Sequence, residues 1–378
     1  MPEAVTRVAV SAAAGSYSVL IGDNAIDMLA AEMTAARLGA RRLLISSQRV
    51  WDFHGLRFRK AGADRTPILI EDGERYKNLN TVARVLDALV KAEADRSTVV
   101  IAVGGGVIGD LVGFAAATYL RGIPIVHVPT TLLAQVDSAI GGKTGVNHPL
   151  GKNLIGSFHA PSLVVADPVV LETLPRREFR AGLYEVIKYG VIAEPVLLDR
   201  LRDTLPAVFA READAVAPLV AASCRIKAAV VSADERESGP RRTLNFGHTI
   251  GHALEAATKY KQFRHGEAIG YGMLAALWVG VARGITPKTL YEEVDALITH
   301  LGPLPSVADI SAKEVLAAIG RDKKVVAGTL HFIAAPERGR TIELTDVSEK
   351  EIKTAVRKIG LRAQANRARA GGAWPSAS

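Results

Sequence analysis

VVIAVGGGVIGDLVGFAAATY, residues 99–119, decides the fold. An apolar run rich in β-branched residues stops at glycines and gives way to a stretch with helical spacing, so it reads as strand, turn and helix. Gly104, Gly106 and Gly109 satisfy G-x-G-x-x-G in the context which that motif requires, a strand before it and a helix after it. Glycines let the backbone approach a pyrophosphate, and the helix N-terminus supplies positive potential. The acidic residue that a standard dinucleotide fold places about 20 positions further on, against the ribose hydroxyls, is missing; that region reads HVPTT. The stretch is either a phosphate or dinucleotide turn of non-standard layout, or a tight structural turn.

Working outward, short β-rich runs occur at RRLLIS (41–46), TPILI (66–70), STVVIAV (97–103), IPIVHV (123–128) and SLVVAD (162–167). Between them, residues 78–95 place Leu79, Val82, Val85, Leu86, Leu89 and Val90 on one helical face. Continuous apolar strands alternating with helices indicate a mostly parallel sheet covered on both sides. From about residue 175 the pattern turns helical: FRAGLYEVIKYGVIA, DAVAPLVAASCRIKAAVVSADE, GHTIGHALEAATK, HGEAIGYGMLAALWVGVARG and TLYEEVDALITHLG. Only TLHFIAA and TIELTDV suggest a late hairpin. The expected organisation is an α/β domain over residues 1–175, Rossmann-like with a mostly parallel sheet, then a mainly α-helical domain over 176–360 and a flexible tail over 361–378. Ligands often bind where two such domains meet.

The 378 residues are 48% hydrophobic and 23% charged, as in an ordinary globular protein. No run approaches the roughly 18 uninterrupted apolar residues of a membrane span; YGMLAALWVGVA (271–282) reads as a core helix. MPEAVTRVAV lacks a basic start followed by an apolar run, so no secretory signal is expected. One cysteine, Cys224, excludes an internal disulfide and a multi-cysteine metal site. The expected compartment is the cytoplasm, with no membrane partner. The formal charge is +8, and residues 351–378 hold Lys353, Arg357, Lys358, Arg362, Arg367 and Arg369 against Glu351. No basic stripe with interleaved aromatics occurs elsewhere, so an anionic small substrate is expected rather than nucleic acid.

PTTLLAQVDSAIGGKTGVNHPLGKNLIGSFHAP (129–161) is dense in polar groups: Thr130, Thr131, Asp137, Lys143, Asn147, Lys152 and Asn153. Two lysines among glycine-supported turns suit phosphate or carboxylate binding; an ordinary solvated loop is the other reading. GLYEVIKYG (182–190) puts Glu185 and Lys188 on one helix face, a spacing that also describes a plain surface ion pair. LNFGHTIGHALE (244–255) puts His248 and His252 four apart, and RHGEAIGYGM opens another helix with His265 and Glu267. With Glu185, two histidines and a carboxylate can hold Zn²⁺ and leave positions open for substrate, and a further carboxylate can orient a ligand imidazole. Spacing does not say which histidine ligates and which does chemistry.

Together with DGERYKNL, GGGVIGDLVGFAAATYLRGI, LPRREFRAGLYEVIKYG and RDKKVVAGTL, these stretches resemble the 3-dehydroquinate synthase family in order, over roughly residues 5–345. The resemblance implies a homodimer that binds NAD⁺ and one divalent metal, Zn²⁺ or Co²⁺. It implies Glu185, His248 and His265 as metal ligands and His252 as a proton-handling residue. It implies NAD contacts from Asp72, Gly73, Glu74, Arg75, Tyr76 and Lys77, from Gly105, Gly106, Val107 and Asp110, and from Thr130, Thr131, Asp137, Lys143 and Lys152. The segment Val170, Leu171, Glu172 and Thr173 completes that set. Substrate contacts and catalysis would draw on Asp137, Lys143, Lys152, Asn153, Lys188, Lys227, Glu237, Arg241, Asn245 and one lysine of DKK, assigned to Lys324. Arg121 would reach the phosphate of the neighbouring subunit's substrate.

The reaction implied converts 3-deoxy-D-arabino-heptulosonate 7-phosphate to 3-dehydroquinate and phosphate, in the shikimate pathway. Transient oxidation at C5 acidifies the adjacent carbon, phosphate leaves by β-elimination, C5 is reduced again, the ring opens and an aldol closure follows. This sequence departs from the family pattern at Tyr184, where a small residue is usual, at Ile250, where an aromatic is common, and in the loop before His265. The alternatives are another sugar-phosphate cyclase, of the 2-deoxy-scyllo-inosose or 2-epi-5-epi-valiolone synthase type, and a metal-dependent polyol dehydrogenase.

Overall fold

The structure, a computed structural model, describes residues 5–12, 15–60, 66–237, 239–320, 325–326 and 329–370. In chain order the first half contains β1 (Thr6–Ala12), β2 (Gly15–Ile21), α1 (Leu29–Ala35), β3 (Arg42–Ser47), α2 (Gln48–Lys60), β4 (Ile68–Ile70), α3 (Leu79–Lys91), β5 (Val99–Gly104) and α4 (Gly106–Thr118). There follow β6 (Ile125–Pro129), β7 (Lys143–His148), β8 (Gly151–Phe158) and β9 (Leu163–Ala166). The helices after them are α5 (Arg176–Ile192), α6 (Val196–Ala210), α7 (Ala213–Ala233), α8 (His248–Ala257), α9 (His265–Ala282), α10 (Lys288–Leu301) and α11 (Ala312–Ile319). Two short strands, β10 (Val325–Val326) and β11 (Thr329–Leu330), precede β12 (Phe332–Glu337), β13 (Arg340–Leu344) and α12 (Glu349–Ala370).

The described residues form two compact units, one of Met1–Gly182 with Thr204–Glu237, the other of Leu183–Asp203 with Ser238–Ser378. The first is built on a seven-stranded sheet in the order β1-β2-β9-β6-β5-β3-β4. The β1–β2 pair is antiparallel. Every other pairing in the sheet is parallel. Both faces are buried, which explains the unbroken apolar runs. Along β5, Val99, Ile101 and Val103 enter one core cluster with Leu44, Phe58 and Val126. Val100 and Ala102 enter the opposite cluster with Val82, Val85, Leu89 and Leu111. Of the stripe expected over residues 78–95, α3 buries Val82, Val85 and Leu89 and half-buries Leu86, whereas Leu79 and Val90, at the two ends of the helix, are exposed. The Asn78 side chain caps the start of the helix, accepting from Thr81 N.

A single cut at residue 175 does not describe these units. The segment holding α7 belongs with the sheet, because Ser11 N of β1 donates to Ser232 Oγ at 2.9 Å and Lys227 reaches Asp137. By length and composition α7 is apolar enough to cross a membrane, yet 61% of its apolar window is buried inside the protein, as in a core helix. Cys224 on this helix is buried, and burial pushes its thiol up to about 12. In the stretch expected as a tail, α12 runs as helix to Ala370, and residues 371–378 lie outside the described residues.

In the second unit α9 is apolar on all sides and correspondingly buried on all sides. α8, α10 and α12 pack around it. Glycines set the closest approach. Gly247, at φ +79 before α8, and Gly272 of α9 meet so tightly that a Cβ at 272 would lie 1.8 Å from the Gly247 carbonyl oxygen. The expected late hairpin is β12–β13, antiparallel.

Candidate active site

The candidate residues fall into two sets, one in each unit. In the sheet unit the glycine turn is a strand-to-helix turn, with β5 ending at Gly104 and α4 starting at Gly106. Side chains at its glycines would collide. A Cβ on Gly105 would lie 2.9 Å from Thr131 Cγ2, and one on Gly106 would lie 2.9 Å from Ser138 Oγ. Val107 follows in the first turn of α4, and Thr130 N donates to Gly104 O at 3.0 Å. A small cavity beneath is lined by Gly104, Gly105, Gly106, His127, Pro129 and Ser138. Burial lowers the His127 imidazole to about 4, so it is neutral at pH 7.

DGERYK folds against this turn. Gly73 adopts φ +104, and the residues Glu74–Tyr76 form a short 3₁₀ turn. Asp72 Oδ1 accepts from Gly73 N, and Arg75 lies over the Tyr76 ring. The buried Lys77 ammonium donates to Asp110 Oδ2 at 2.5 Å and to Asn153 Oδ1 at 2.6 Å. Burial raises the Asp110 carboxyl above its ordinary value, against the pull of Lys77. Lys152 lies 3.8 Å from Glu74, and Asn147 donates to the same carboxylate at 2.8 Å. The structure thus brings together Glu74, Lys77, Asp110, Lys152 and Asn153 from three separate stretches.

Those two asparagines and Lys152 sit on or beside the hairpin β7–β8, where a loop reading was open. Lys143 starts β7 and pairs with Glu237; Lys227 donates to both Asp137 O and Asp137 Oδ1 at 2.7 Å. Val170 to Thr173 lie at the end of a 3₁₀ turn capped by Asp167. Arg211 donates to the carbonyls of Leu171, Glu172 and Leu174, and His54 contacts Thr173 Oγ1 at 2.8 Å. Arg121 is exposed at φ +67. Lys324 lies outside the described residues.

The second set lies in the helical unit. Glu185 of α5 is fully buried, and Lys188, one turn on, pairs with its Oε2 at 2.5 Å. Its Oε1 faces His248 Nε2 at 3.8 Å and His265 Nε2 at 3.6 Å. Ligands about 2.1 Å from a tetrahedral Zn²⁺ lie about 3.4 Å apart, so this spacing fits one cation. The imidazoles are set for it. His248 Nδ1 lies 3.1 Å from the Phe246 carbonyl oxygen, which can only accept, so the proton sits on Nδ1 and the Nε2 lone pair faces Glu185. His265 Nδ1 lies 3.2 Å from Glu255 Oε2. Burial lowers the His265 imidazole, but Glu255 and Glu185 more than offset this and raise it to about 9. A cation there competes with a proton.

His252 is close enough to compete for a place: one nitrogen from each of His248, His252 and His265 can be chosen so that all lie within 4.8 Å. Glu185 lies within 3.8 Å of both His248 and His265 and its charge is anionic and buried, which favours Glu185 as the third donor and His252 as the neighbour. Arg241 and Asn245 belong to the 3₁₀ turn before α8, and Arg241 is buried. The carboxylate behind His265 had no position assigned from sequence. It was readable there, because Glu255 follows His248 by seven and shares its helix face.

Sequence comparison adds the family. Residues 67–181 match the N-terminal, and residues 182–325 the C-terminal, 3-dehydroquinate synthase family description. The chain belongs to the 3-dehydroquinate synthase family. It is 46% identical over 353 residues to the 3-dehydroquinate synthase of Nostoc punctiforme, covering 89% of this chain and 94% of that one. It is 47% identical over 323 residues to that of Halorhodospira halophila, covering 84% and 89%. Among solved structures, the 2-epi-5-epi-valiolone synthase of Streptomyces hygroscopicus subsp. jinggangensis, with NAD⁺ and Zn²⁺ bound, superposes with a TM-score of 0.83 at 28% identity, covering 96% and 99%. A 2-deoxy-scyllo-inosose synthase complexed with carbaglucose-6-phosphate, NAD⁺ and Co²⁺ gives 0.83 at 26%, covering 93% and 100%. A glycerol dehydrogenase from Schizosaccharomyces pombe, at 16% and 0.67, shares the fold alone.

Proposed function

We infer that this chain converts 3-deoxy-D-arabino-heptulosonate 7-phosphate to 3-dehydroquinate and phosphate, as a phosphate-eliminating carbon–oxygen lyase of the shikimate pathway. The observation that carries the reading is the convergence of Glu185, His248 and His265 in a chain 46% identical to a 3-dehydroquinate synthase over most of its length. The other cyclases are more distant, at 26–28%. The cofactors are NAD⁺ and one Zn²⁺ or Co²⁺, which supply a reversible hydride acceptor and Lewis acidity at the hydroxyl that is oxidised.

The chain's own groups fit the remaining work. Glu185, His248 and His265 hold the cation. The glycine turn, with Gly105, Gly106 and Val107, offers backbone N–H groups to a pyrophosphate. Asp72 to Lys77, Asp110, Thr130, Thr131, Asp137 and Val170 to Thr173 bind the rest of the dinucleotide. Lys143, Lys152, Asn153, Lys188, Lys227, Arg241, Asn245 and Lys324 grip the substrate's carboxylate, hydroxyls and phosphate, with ammonium groups as point charges and Arg241 as a fork. Glu237 holds the Lys143 ammonium in place. His252, beside the metal-site imidazoles, moves protons to and from the substrate. Holding a flexible seven-carbon acid in one geometry removes much of the entropic barrier to elimination and aldol closure. The enzyme acts in the cytoplasm as a homodimer in which Arg121 reaches the partner subunit's substrate phosphate.

The test is to supply the purified protein with NAD⁺, Zn²⁺ and either the heptulosonate phosphate or glucose 6-phosphate, and to follow phosphate release. Release and dehydroquinate formation with the first alone support the reading. Release from glucose 6-phosphate alone would assign the chain to another cyclase activity.

A further inference from the structure

On α8, His248, His252 and Glu255 stand at positions i, i+4 and i+7, one continuous stripe of a helix. Glu255 is 3% exposed. A carboxylate withdrawn from water is costly unless it meets donors. Here its Oε2 meets His265 Nδ1 at 3.2 Å, at the first residue of α9. An imidazole that donates from Nδ1 presents its Nε2 lone pair on the opposite side, and that nitrogen faces Glu185. His248 is fixed in the same sense by the neutral Phe246 carbonyl. The two ligand imidazoles are therefore held by partners of different charge.

We propose that Glu255 is a positioning residue of the metal site. It holds His265 as the Nδ1–H tautomer, fixes the ring's rotation and strengthens Nε2 as a donor. This rests on the assignment of Glu185, His248 and His265 as metal ligands. A carboxylate behind a ligand imidazole typically carries about 10–100-fold in metal affinity. Glu267, two residues after His265, has a capping role: its carboxylate accepts from Arg264 N at 2.8 Å at the start of α9.

The test uses the full chain, with Zn²⁺ affinity from chelator competition and the visible spectrum of the Co²⁺-loaded protein as readouts. Glu255→Gln keeps the shape and removes the charge; Glu255→Ala removes both. The expected result is about a tenfold weaker Zn²⁺ affinity for the first and up to about a hundredfold for the second. An altered Co²⁺ absorption should accompany this, with unchanged far-ultraviolet circular dichroism. His248→Ala serves as reference and should lose the metal. Wild-type affinity and spectrum in a folded Glu255→Gln protein, beside a His248→Ala protein that has lost the metal, would overturn the role of Glu255 alone. Wild-type affinity in His248→Ala would overturn the ligand assignment and this proposal with it. If Glu255→Ala does not fold, Glu255→Gln decides.

Discussion

The ring of Tyr184 fills the space left by the missing side chain of Gly270. A Cβ on Gly270 would lie 3.0 Å from Tyr184 Cδ1, and Tyr184 is fully buried. Tyr184 immediately precedes Glu185, the proposed metal carboxylate. The large ring on α5 is therefore matched by a glycine on α9. Tyr184→Ala should open a cavity and cost about 3–5 kcal/mol of stability. Urea denaturation of the metal-free protein measures this; a loss below about 1 kcal/mol would show that the site collapses around the smaller side chain.

The approach of α8 to α9 depends on Gly272, whose missing side chain makes room for the Gly247 carbonyl. Gly272→Ala forces the helices apart next to His248. It should lower stability by about 1–3 kcal/mol and weaken Zn²⁺ binding. Calorimetry of metal binding checks the second effect, and unchanged affinity would detach the packing from the site.

Lys77 links the DGERYK segment to α4 through Asp110, and to β8 through Asn153. Lys77→Met leaves Asp110 without its main counter-charge in a largely enclosed position. About 2 kcal/mol of stability should be lost, with a much weaker affinity for NAD⁺. Quenching of protein fluorescence by NAD⁺ measures the latter. Full affinity would remove Lys77 from the cofactor site.

At the far end of α9, Arg283 grips Glu351 of α12 with Nε at 2.5 Å and Nη2 at 3.0 Å. These bonds, with those from Ser348, lower the Glu351 carboxyl to about 2 from 4.5. The unfolded chain therefore binds this proton first as pH falls. The pair's contribution is complete above pH 4.5 and is lost as pH falls from there towards 2. Arg283→Ala should be less stable than wild type by about 1 kcal/mol at neutral pH, with the gap closing in acid. A gap that stays constant across that range would contradict this.

Much of the architecture is legible in the sequence because the signals are local. Residues 99–119 carry strand, turn and helix in one stretch, and the stripe of residues 78–95 marks the middle of the face that α3 buries, Val82, Val85 and Leu89, but not its ends, where Leu79 and Val90 are exposed. The site is legible in part. His248 and His252 share a face by spacing alone, but Glu185 reaches His248 and His265 only through tertiary packing, which no local pattern reports. Residues 143–158 resist for a different reason. Apart from Val146, the half-buried Ile155 and a few exposed apolar groups, they are mostly glycines and polar residues, so the hairpin β7–β8 leaves no clean alternation. The placement of α7 resists because chain order puts it among the helices, whereas Ser232, Lys227 and Cys224 bind it to the sheet unit.

The central claim is that NAD⁺ is reduced and restored within one turnover. The direct measurement is a reaction with substrate in large excess over NAD⁺, with deuterium at C5 of the heptulosonate phosphate, followed by nicotinamide absorbance and by mass analysis of the product. The account predicts many equivalents of dehydroquinate per NAD⁺, deuterium retained in the product, and no net accumulation of NADH. Formation of NADH in step with product, ceasing when NAD⁺ is consumed, would contradict it and would describe a dehydrogenase instead.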